Sequence, residues 1–188
     1  MQIDSFDQKW LLSAIRSGLQ PKYVFFWGHT GKHEGPVGRE CLSQWYPASF
    51  SVNGQAFPTA EHFMMACKAQ LFDDQEIYER ILAAPTPGVV KGLGREVRGF
   101  EDERWKAACW DIVVRGNWEK FAQNPELCDL LLGTGNCVLV EASPLDRVWR
   151  IGLSGDDPRA SNPELWEGAN ILGFALMEVR RRLLGTDS

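Results

Sequence analysis

Glu61 and Lys68 lie seven residues apart in the stretch Pro58-Thr59-Ala60-Glu61-His62-Phe63-Met64-Met65-Ala66-Cys67-Lys68-Ala69. Such a carboxylate and amine can stabilise a developing cation, move a proton, or supply a nitrogen nucleophile. The stretch predicts a helix, with Thr59 as its N-cap and neither Gly nor Pro through Leu71. On that register Glu61 is the second helical residue, where unpaired backbone N–H groups and the positive end of the dipole favour its charge. Lys68 returns to nearly the same face two turns later, roughly 10 Å away. Phe63, Cys67 and Leu71 make an apolar stripe beside the pair.

The other polar groups that could take part are isolated and flanked by aromatics: Arg95, Asp146, Arg147, Trp149 and Asn170. Arg95 falls at the end of a short helix opened by Thr86 and Pro87. Its fixed fork suits a phosphate or carboxylate, or an ion pair with a neighbour such as Glu61 or Asp102. Asp146 follows Ser143-Pro144, where an acid ordinarily serves a turn. His29 and His33 lie four apart with Glu34 adjacent and Cys41 beyond, but the loop from Gly28 to Arg39 holds four Gly and a Pro. No helix would carry that pair as metal ligands, and a polar loop able to fold over a pocket is the reading adopted. The chain contains no G-x-G-x-x-G, P-loop, HExxH, G-x-S-x-G or paired CxxC, so no metal or cofactor is expected.

The elements that must position these groups follow from periodicity and punctuation. Asp7 to Leu19 predicts a short amphipathic helix, with Trp10, Leu11, Ala14 and Ile15 inward, an N-terminal extension over residues 1–20. Tyr23-Val24-Phe25-Phe26-Trp27 and Cys137-Val138-Leu139-Val140 predict central strands. Leu42 to Tyr46 and Ser49 to Val52 predict short strands, and Asn53-Gly54 a tight turn returning through Gln55-Ala56-Phe57. Helices are predicted over Gln75–Leu82 with an Asp73 or Asp74 cap, over Glu101–Ala122, and over Pro125–Leu132. A last helix is predicted from an Asn162 cap and Pro163 onward, with Leu165, Ala169, Leu172, Leu176, Val179 and Leu183 on one face. Gly168 and Gly173 within it predict close backbone approach. Together these give a mostly helical α+β fold, a single domain over residues 21–188 with a small central sheet and a pocket at helix ends.

Length and composition allow one domain with a sizeable core: 188 residues, 44% hydrophobic. Eight Trp and ten Phe should mostly pack the core, leaving some to stack on a ring ligand. Twenty basic against twenty-five acidic residues, a net charge of −5, argue against duplex binding driven by phosphate neutralisation. Five widely spaced cysteines fit a reduced compartment. The start lacks a signal-peptide pattern and no run of 18 apolar residues exists, so a cytoplasmic protein with no membrane partner is expected.

Several ordered segments resemble the YbiA-like, or NADAR, family. They are the Pro58–Ala69 stretch, Lys91-Gly92-Leu93-Gly94-Arg95, Trp105 after Phe100, Lys120-Phe121 and Asn124-Pro125-Glu126-Leu127. Further on come Leu130-Leu131-Leu132-Gly133-Thr134-Gly135, Leu139 through Leu153, and Trp166 through Arg180. The agreement runs from about Val24 to Leu183. It departs at Leu42-Ser43-Gln44-Trp45-Tyr46, where the family carries Ser-Asn-Phe or Ser-Pro-Phe. It departs again at Glu61-His62-Phe63-Met64-Met65, and at Trp149-Arg150-Ile151-Gly152, where the family carries Trp-Gly-Ile-Gly.

The resemblance implies a compact, helix-rich α+β fold and hydrolysis of the N-glycosidic bond between a ribose and a base. The substrate expected is a phosphorylated ribosylamino-pyrimidine of the riboflavin pathway. The alternatives are ADP-ribose attached to guanine, free or in nucleic acid, and a module that binds ADP-ribose or a nucleotide without cleaving it. Glu61 would stabilise the oxocarbenium charge and direct water, with Asp146 on the ribose or as second carboxylate, the two lining one ribose-sized hollow. Lys68 would attack the anomeric carbon or hold phosphate. Arg95 and Arg147 are the expected phosphate ligands, Trp149, Trp105 and Trp45 the walls of the base site, and Asn170 a further binding residue.

Overall fold

Helix starts in this chain are written by short polar caps, and the computed structural model, which describes residues 6–30, 36–145 and 147–185, bears most of them out. Asp7 accepts from Trp10 N to open α1 (Gln8–Arg16). Thr59 accepts from His62 N to open α2 (Ala60–Leu71), Asp74 from Ile77 N to open α3 (Gln75–Leu82), and Thr86 from Val89 N to open α4 (Pro87–Arg95). The long α5 spans Asp102–Ala122, α6 Pro125–Gly133 and α7 Ile171–Gly185. With four short strands, the fold is a mostly helical α+β. No helix among the described residues is long and apolar enough to cross a membrane.

Packing divides the chain into two compact units, one of residues 44–125 and one of residues 1–43 with 126–188.

In the unit of residues 44–125, β2 (Phe50–Val52) and β3 (Gln55–Phe57) form an antiparallel hairpin. Asn53 and Gly54 both take positive φ (51° and 83°), as a type I′ turn requires. Phe50, Phe57 and Phe63 meet with ring centroids 5.2–6.0 Å apart, joining the hairpin to α2. α2 is buried on nearly all sides, from Ala60 through Ala66 and at Ala69, whereas its sequence predicts a single apolar stripe. Two glycines permit this enclosure: a β-carbon at Gly94 would strike Met65, and one at Gly116 would strike the Phe63 ring.

In the other unit, β1 (Tyr23–Phe26) and β4 (Val138–Glu141) pair in parallel, Val24 beside Leu139 and Phe26 beside Glu141. α7 lies on β4 at Gly173, where any β-carbon would collide with the Leu139 carbonyl. The predicted close approach at Gly168 is also present, against the backbone of Arg147 and Arg150. α1 is tied in by Gln8, whose amide donates to the Pro163 carbonyl at 2.7 Å, and by fully buried Leu11. Buried Arg180 on α7 donates to Thr134 Oγ1 and the Cys137 carbonyl, at 2.6 and 2.9 Å, pinning the turn that leads into β4.

Four expectations are corrected. The strands form two separate two-stranded sheets, one in each unit, instead of one central sheet. Leu42–Tyr46 is no strand: Arg39–Leu42 is a 3-10 turn closed by Ser43 N donating to the Glu40 carbonyl. Trp27 lies outside β1 and is 61% exposed. Asn162 and Pro163 do act as cap and first residue, but of a 3-10 turn, Pro163–Leu165; α7 begins only at Ile171, and Leu165 and Ala169 are exposed.

Candidate active site

Glu61 occupies the second position of α2 and is 4% exposed. Its N–H donates to the Gln44 carbonyl at 3.0 Å, so the segment entering from residue 44 is fastened across the helix start. The Gln44 amide is fastened too, donating to Met64 Sδ at 3.3 Å and accepting from Asn117 Nδ2 at 3.4 Å. Asn117 Nδ2 also donates to the Val113 carbonyl, while its Oδ1 is buried with no hydrogen-bond partner among the described residues. One turn on along α5, Lys120 is fully enclosed, its ammonium 5.7 Å from the Tyr46 ring and 5.1 Å from the Phe121 ring. An enclosed lysine is rare, since burial penalises its charge. Gln44 and Asn117 thus set fixed dipoles beside the start of α2.

Next to Glu61, His62 has a structural role. Its Nε2 faces the Ala84 carbonyl at 3.1 Å, which can only accept, so Nε2 carries the proton and Nδ1 accepts from the Thr59 hydroxyl at 2.8 Å. Burial lowers its pKa further, keeping the ring neutral.

Lys68, half-buried two turns along α2, donates to the Gly94 carbonyl at 2.7 Å. Its ammonium lies 4.3 Å from the Phe100 ring centroid and 5.6 Å from that of Trp105. Desolvation pushes its pKa below the ordinary lysine value. The structure thus brings together two predicted residues, Lys68 and Trp105, at the end of α4 that bears Arg95. Arg95 itself is exposed and forms no ion pair with Glu61 or Asp102 among the described residues. Trp45, half-buried, packs by α4 with its ring 5.9 Å from the Lys91 ammonium and in contact range of Gly88.

In the other unit the loop after β4 is ordered by backbone bonds. Ile151 N donates to the Glu141 carbonyl, Glu167 N to Ile151, Ala169 N to Arg147, Asn170 N to Arg150 and Leu172 N to Trp149. Arg147 is 72% exposed at its side chain and paired with Glu167 at 3.0 Å. Trp149 is half-buried. Asn170 departs from its expected role as a ligand group: it is fully buried, takes a positive φ of 52°, accepts from Glu141 N at 3.0 Å and donates to the Leu139 carbonyl at 2.9 Å. Its amide is spent on holding β4 against α7. Asp146 lies outside the described residues, as do His33 and Glu34 of the polar loop.

Two features of this unit go beyond the site residues chosen from sequence. Glu141, at the end of β4 and 4% exposed, pairs with Arg150 Nε at 3.0 Å, and Arg150 Nη1 also donates to Ser143 Oγ at 3.2 Å. A hollow of about 620 Å³ opens beyond the carboxyl ends of the parallel strands. Phe25, Trp27, Ala142 and Leu145 line it, with Ser154 and Asp156 as polar groups. Crevices at that end of parallel strands are where ligands commonly bind. The departure of Arg150 from the family pattern was the available signal for the first feature. An apolar run whose last residue, Trp27, passes beyond the strand was the signal for the hollow. For enclosed Lys120, in the unit of residues 44–125, the signal was only its place in the Lys120-Phe121 match to the family, since a lone lysine on a helix reads as surface. Among the described residues no group of three His, Cys, Asp or Glu side chains is placed to hold a metal ion.

Comparison with known proteins gives this geometry its context. A profile of the NADAR domain matches residues 25–184. An N-glycosidase of Acanthamoeba polyphaga mimivirus is 42% identical over 164 residues, covering 85% of this chain and 95% of the relative. N-glycosidase YbiA of Escherichia coli is 32% identical over 132 residues, covering 70% of this chain and 74% of the relative. The NMR structure of YbiA matches with a TM-score of 0.71 at 26% identity, over 90% of this chain and 89% of that one. A riboflavin biosynthesis protein of Vibrio vulnificus is 31% identical over 172 residues, which are 90% of this chain and 41% of that protein. The chain is a hydrolase of the N-glycosidase class. It belongs to the NADAR domain family.

Proposed function

We propose that this hydrolase cuts the bond between ribose and base in a phosphorylated ribosylamino-pyrimidine of the riboflavin pathway. The observation that carries the reading is the enclosed carboxylate of Glu61 at the Thr59-capped start of α2. Cleavage of a ribosyl C–N bond builds positive charge at the anomeric carbon and ring oxygen, and a carboxylate held in a dry site opposes that charge most strongly. The helix dipole favours its ionised form, which suits a base or electrostatic partner better than an acid. The pyrimidine substrate is supported by the name of the Vibrio relative.

The remaining roles are part of the same proposal. Asp146 binds ribose hydroxyls or serves as second carboxylate. Lys68, its charge weakened by burial, attacks the anomeric carbon as the C–N bonding electrons leave with the base. The sugar then opens by taking a proton on its ring oxygen, and water hydrolyses the resulting imine to free amine and ribose phosphate. Arg95 and Arg147 meet phosphate, and Trp45, Trp105 and Trp149 wall the base. A second reading, ADP-ribosyl-guanine hydrolysis, is favoured by the hollow beyond β1 and β4. Its rim residues Trp27 and Leu145 are 61% and 79% exposed, leaving it open to a ligand larger than a monophosphate.

The purified chain incubated separately with the aminouracil ribotide and with ADP-ribosylated guanosine decides between them. Release of the pyrimidine base supports the first reading. Release of guanine alone replaces it with the second, and tight binding of intact ligand without release of either base removes both.

A further inference from the structure

Gln44 and Asn117 are two enclosed amides, 6% and 0% exposed, whose pairing is poor chemistry for a core. Gln44 spends its Nε2 on the thioether of Met64 at 3.3 Å, a weak acceptor, and its Oε1 receives Asn117 Nδ2 only at 3.4 Å. Asn117 Oδ1, a good acceptor, is buried with no hydrogen-bond partner among the described residues. Turning the amides over does not cure this. A reversed Asn117 would set its oxygen against the Val113 carbonyl, which now accepts from Nδ2 at 2.9 Å. A reversed Gln44 would set donor against donor. Buried amides left part-satisfied cost stability, and two apolar side chains of the same shape would avoid that cost. Such a breach of core packing points to a role beyond folding.

The role follows from what Gln44 holds. The first backbone N–H groups of a helix have no partner within it. In α2 the His62 N–H is taken by Thr59 Oγ1, and the Glu61 N–H by the Gln44 carbonyl at 3.0 Å. Gln44 belongs to no helix or strand, so no regular backbone ladder fixes where that carbonyl sits. Its side chain supplies the fixing: Oε1 is tied to α5 through Asn117, and Asn117 is tied to its own helix at Val113. α5 is in turn seated on α2 at Gly116, next to Asn117, where a β-carbon would strike the Phe63 ring. The contacts thus run from a close-packed helix pair, through two amides, to the backbone of nearly enclosed Glu61. A group that acts in a transition state has to be held within about 0.5 Å of its productive place. Directional bonds set that place where apolar contact alone would not.

We propose that Asn117 is a positioning residue for the hydrolysis: through the Gln44 amide it fixes the carbonyl that holds Glu61, and the unmet Oδ1 is stability given up for that placement. The proposal rests on the reading of Glu61 as the group that opposes the oxocarbenium charge, and all of its parts lie in the unit of residues 44–125.

The test joins steady-state kinetics on the substrate that wild type cleaves, aminouracil ribotide or ADP-ribosylated guanosine, to amide hydrogen exchange in α2. Asn117→Leu lowers kcat roughly 10- to 100-fold, up to the loss that about 1 Å of misplacement brings, and changes KM far less. Exchange at the Glu61 N–H speeds about 10-fold, while the Thr59-capped N–H of His62 keeps its protection. Because the single change strands Gln44 Oε1, the double variant Gln44→Met/Asn117→Leu, with neither amide left, is measured beside it. The double variant melts close to wild type or above it and keeps the kcat defect. Wild-type kcat in the double variant, its failure to fold, or faster exchange throughout α2 overturns the proposal. Should wild type cleave neither substrate, the glycosidase reading falls while the placement of Glu61 is still decided by exchange. Protection lost selectively at Glu61 in the variants supports it; protection unchanged there overturns it.

Discussion

The ammonium of Lys68 stands 4.3 Å from the centre of the Phe100 ring. With Trp105 and the Gly94 carbonyl it is held by two π faces and one dipole, and no carboxylate of the described residues pairs with it. Burial therefore lowers its pKa, because the protonated form is the one penalised. The sign for stability follows: between its folded pKa and the ordinary value of 10.5 the unfolded chain binds more protons, so the contribution of Lys68 grows as pH rises through that window. The difference in urea midpoint between wild type and Lys68→Met should move in favour of wild type from neutral pH toward 10.5. A difference that stays flat or falls contradicts the desolvated amine.

The same residue separates two chemistries. If Lys68 attacks the sugar, cyanoborohydride added during turnover leaves a reduced sugar adduct on it, found by mass spectrometry of its peptide. Lys68→Arg keeps the charge and the ring contacts but cannot form an imine, so kcat falls by about 100-fold or more. Near-normal turnover in that variant assigns Lys68 to phosphate instead.

Glu61→Gln preserves shape while removing charge at the start of α2. The expected outcome is a kcat lower by about 10²–10⁴ with KM changed only a few-fold, the pattern of a group acting in the transition state. Steady-state kinetics with calorimetric ligand binding read both quantities. Near-normal hydrolysis by the variant removes Glu61 from the mechanism.

Acid sensitivity of the unit of residues 44–125 should trace to Asp74. This buried cap of α3 accepts from Ile77 N and from Arg98 N and Nε, the latter pair at 2.9 and 3.0 Å. Hydrogen bonds from the Arg98 side chain, then its backbone, hold its carboxyl well below the usual range. Its stabilisation is therefore complete above pH 3.8 and lost as pH falls below that toward the folded value. Asp74→Asn should lower the melting temperature by several degrees at neutral pH, and the gap to wild type should narrow as the solution is acidified below pH 3.8. A gap independent of pH refutes this origin.

Gly173 tests the seam between α7 and β4. Gly173→Ala places a methyl group against the Leu139 carbonyl, which backbone cannot readily yield. The expected cost is about 1–3 kcal/mol, as for other overpacked sites, measured by chemical denaturation. An unchanged midpoint contradicts a close-packed seam at Gly173.

Local chemistry decided which of these features sequence could reveal. Thr59, Asp74 and Thr86 cap the helices they announce because an N-cap acts on the next three residues alone. Asn53-Gly54 makes its turn for the same reason. Asn162-Pro163 shows the limit: the pair starts any helical turn, and here the turn stops after Leu165, with α7 opening six residues later. Asn170 and Lys120 were opaque because their roles depend on distant partners, the β4 backbone for one and Tyr46 for the other. Arg150 was visible only as an oddity until Glu141 and Ser143 were seen to hold it. The identity of a site residue is thus easier to read than its company.

The parallel pairing of β1 with β4 makes the first strand wait for a partner translated much later. Tyr23–Phe26 is made before residues 44–125, and its partner Val138–Glu141 only after all of them. That middle stretch is continuous and carries its own core, so it can collapse while Val24 and Phe26 still wait with bare backbone edges. A nascent chain halted before Val138 therefore displays a sticky, unmatched ribbon, and chaperone demand should peak in that interval.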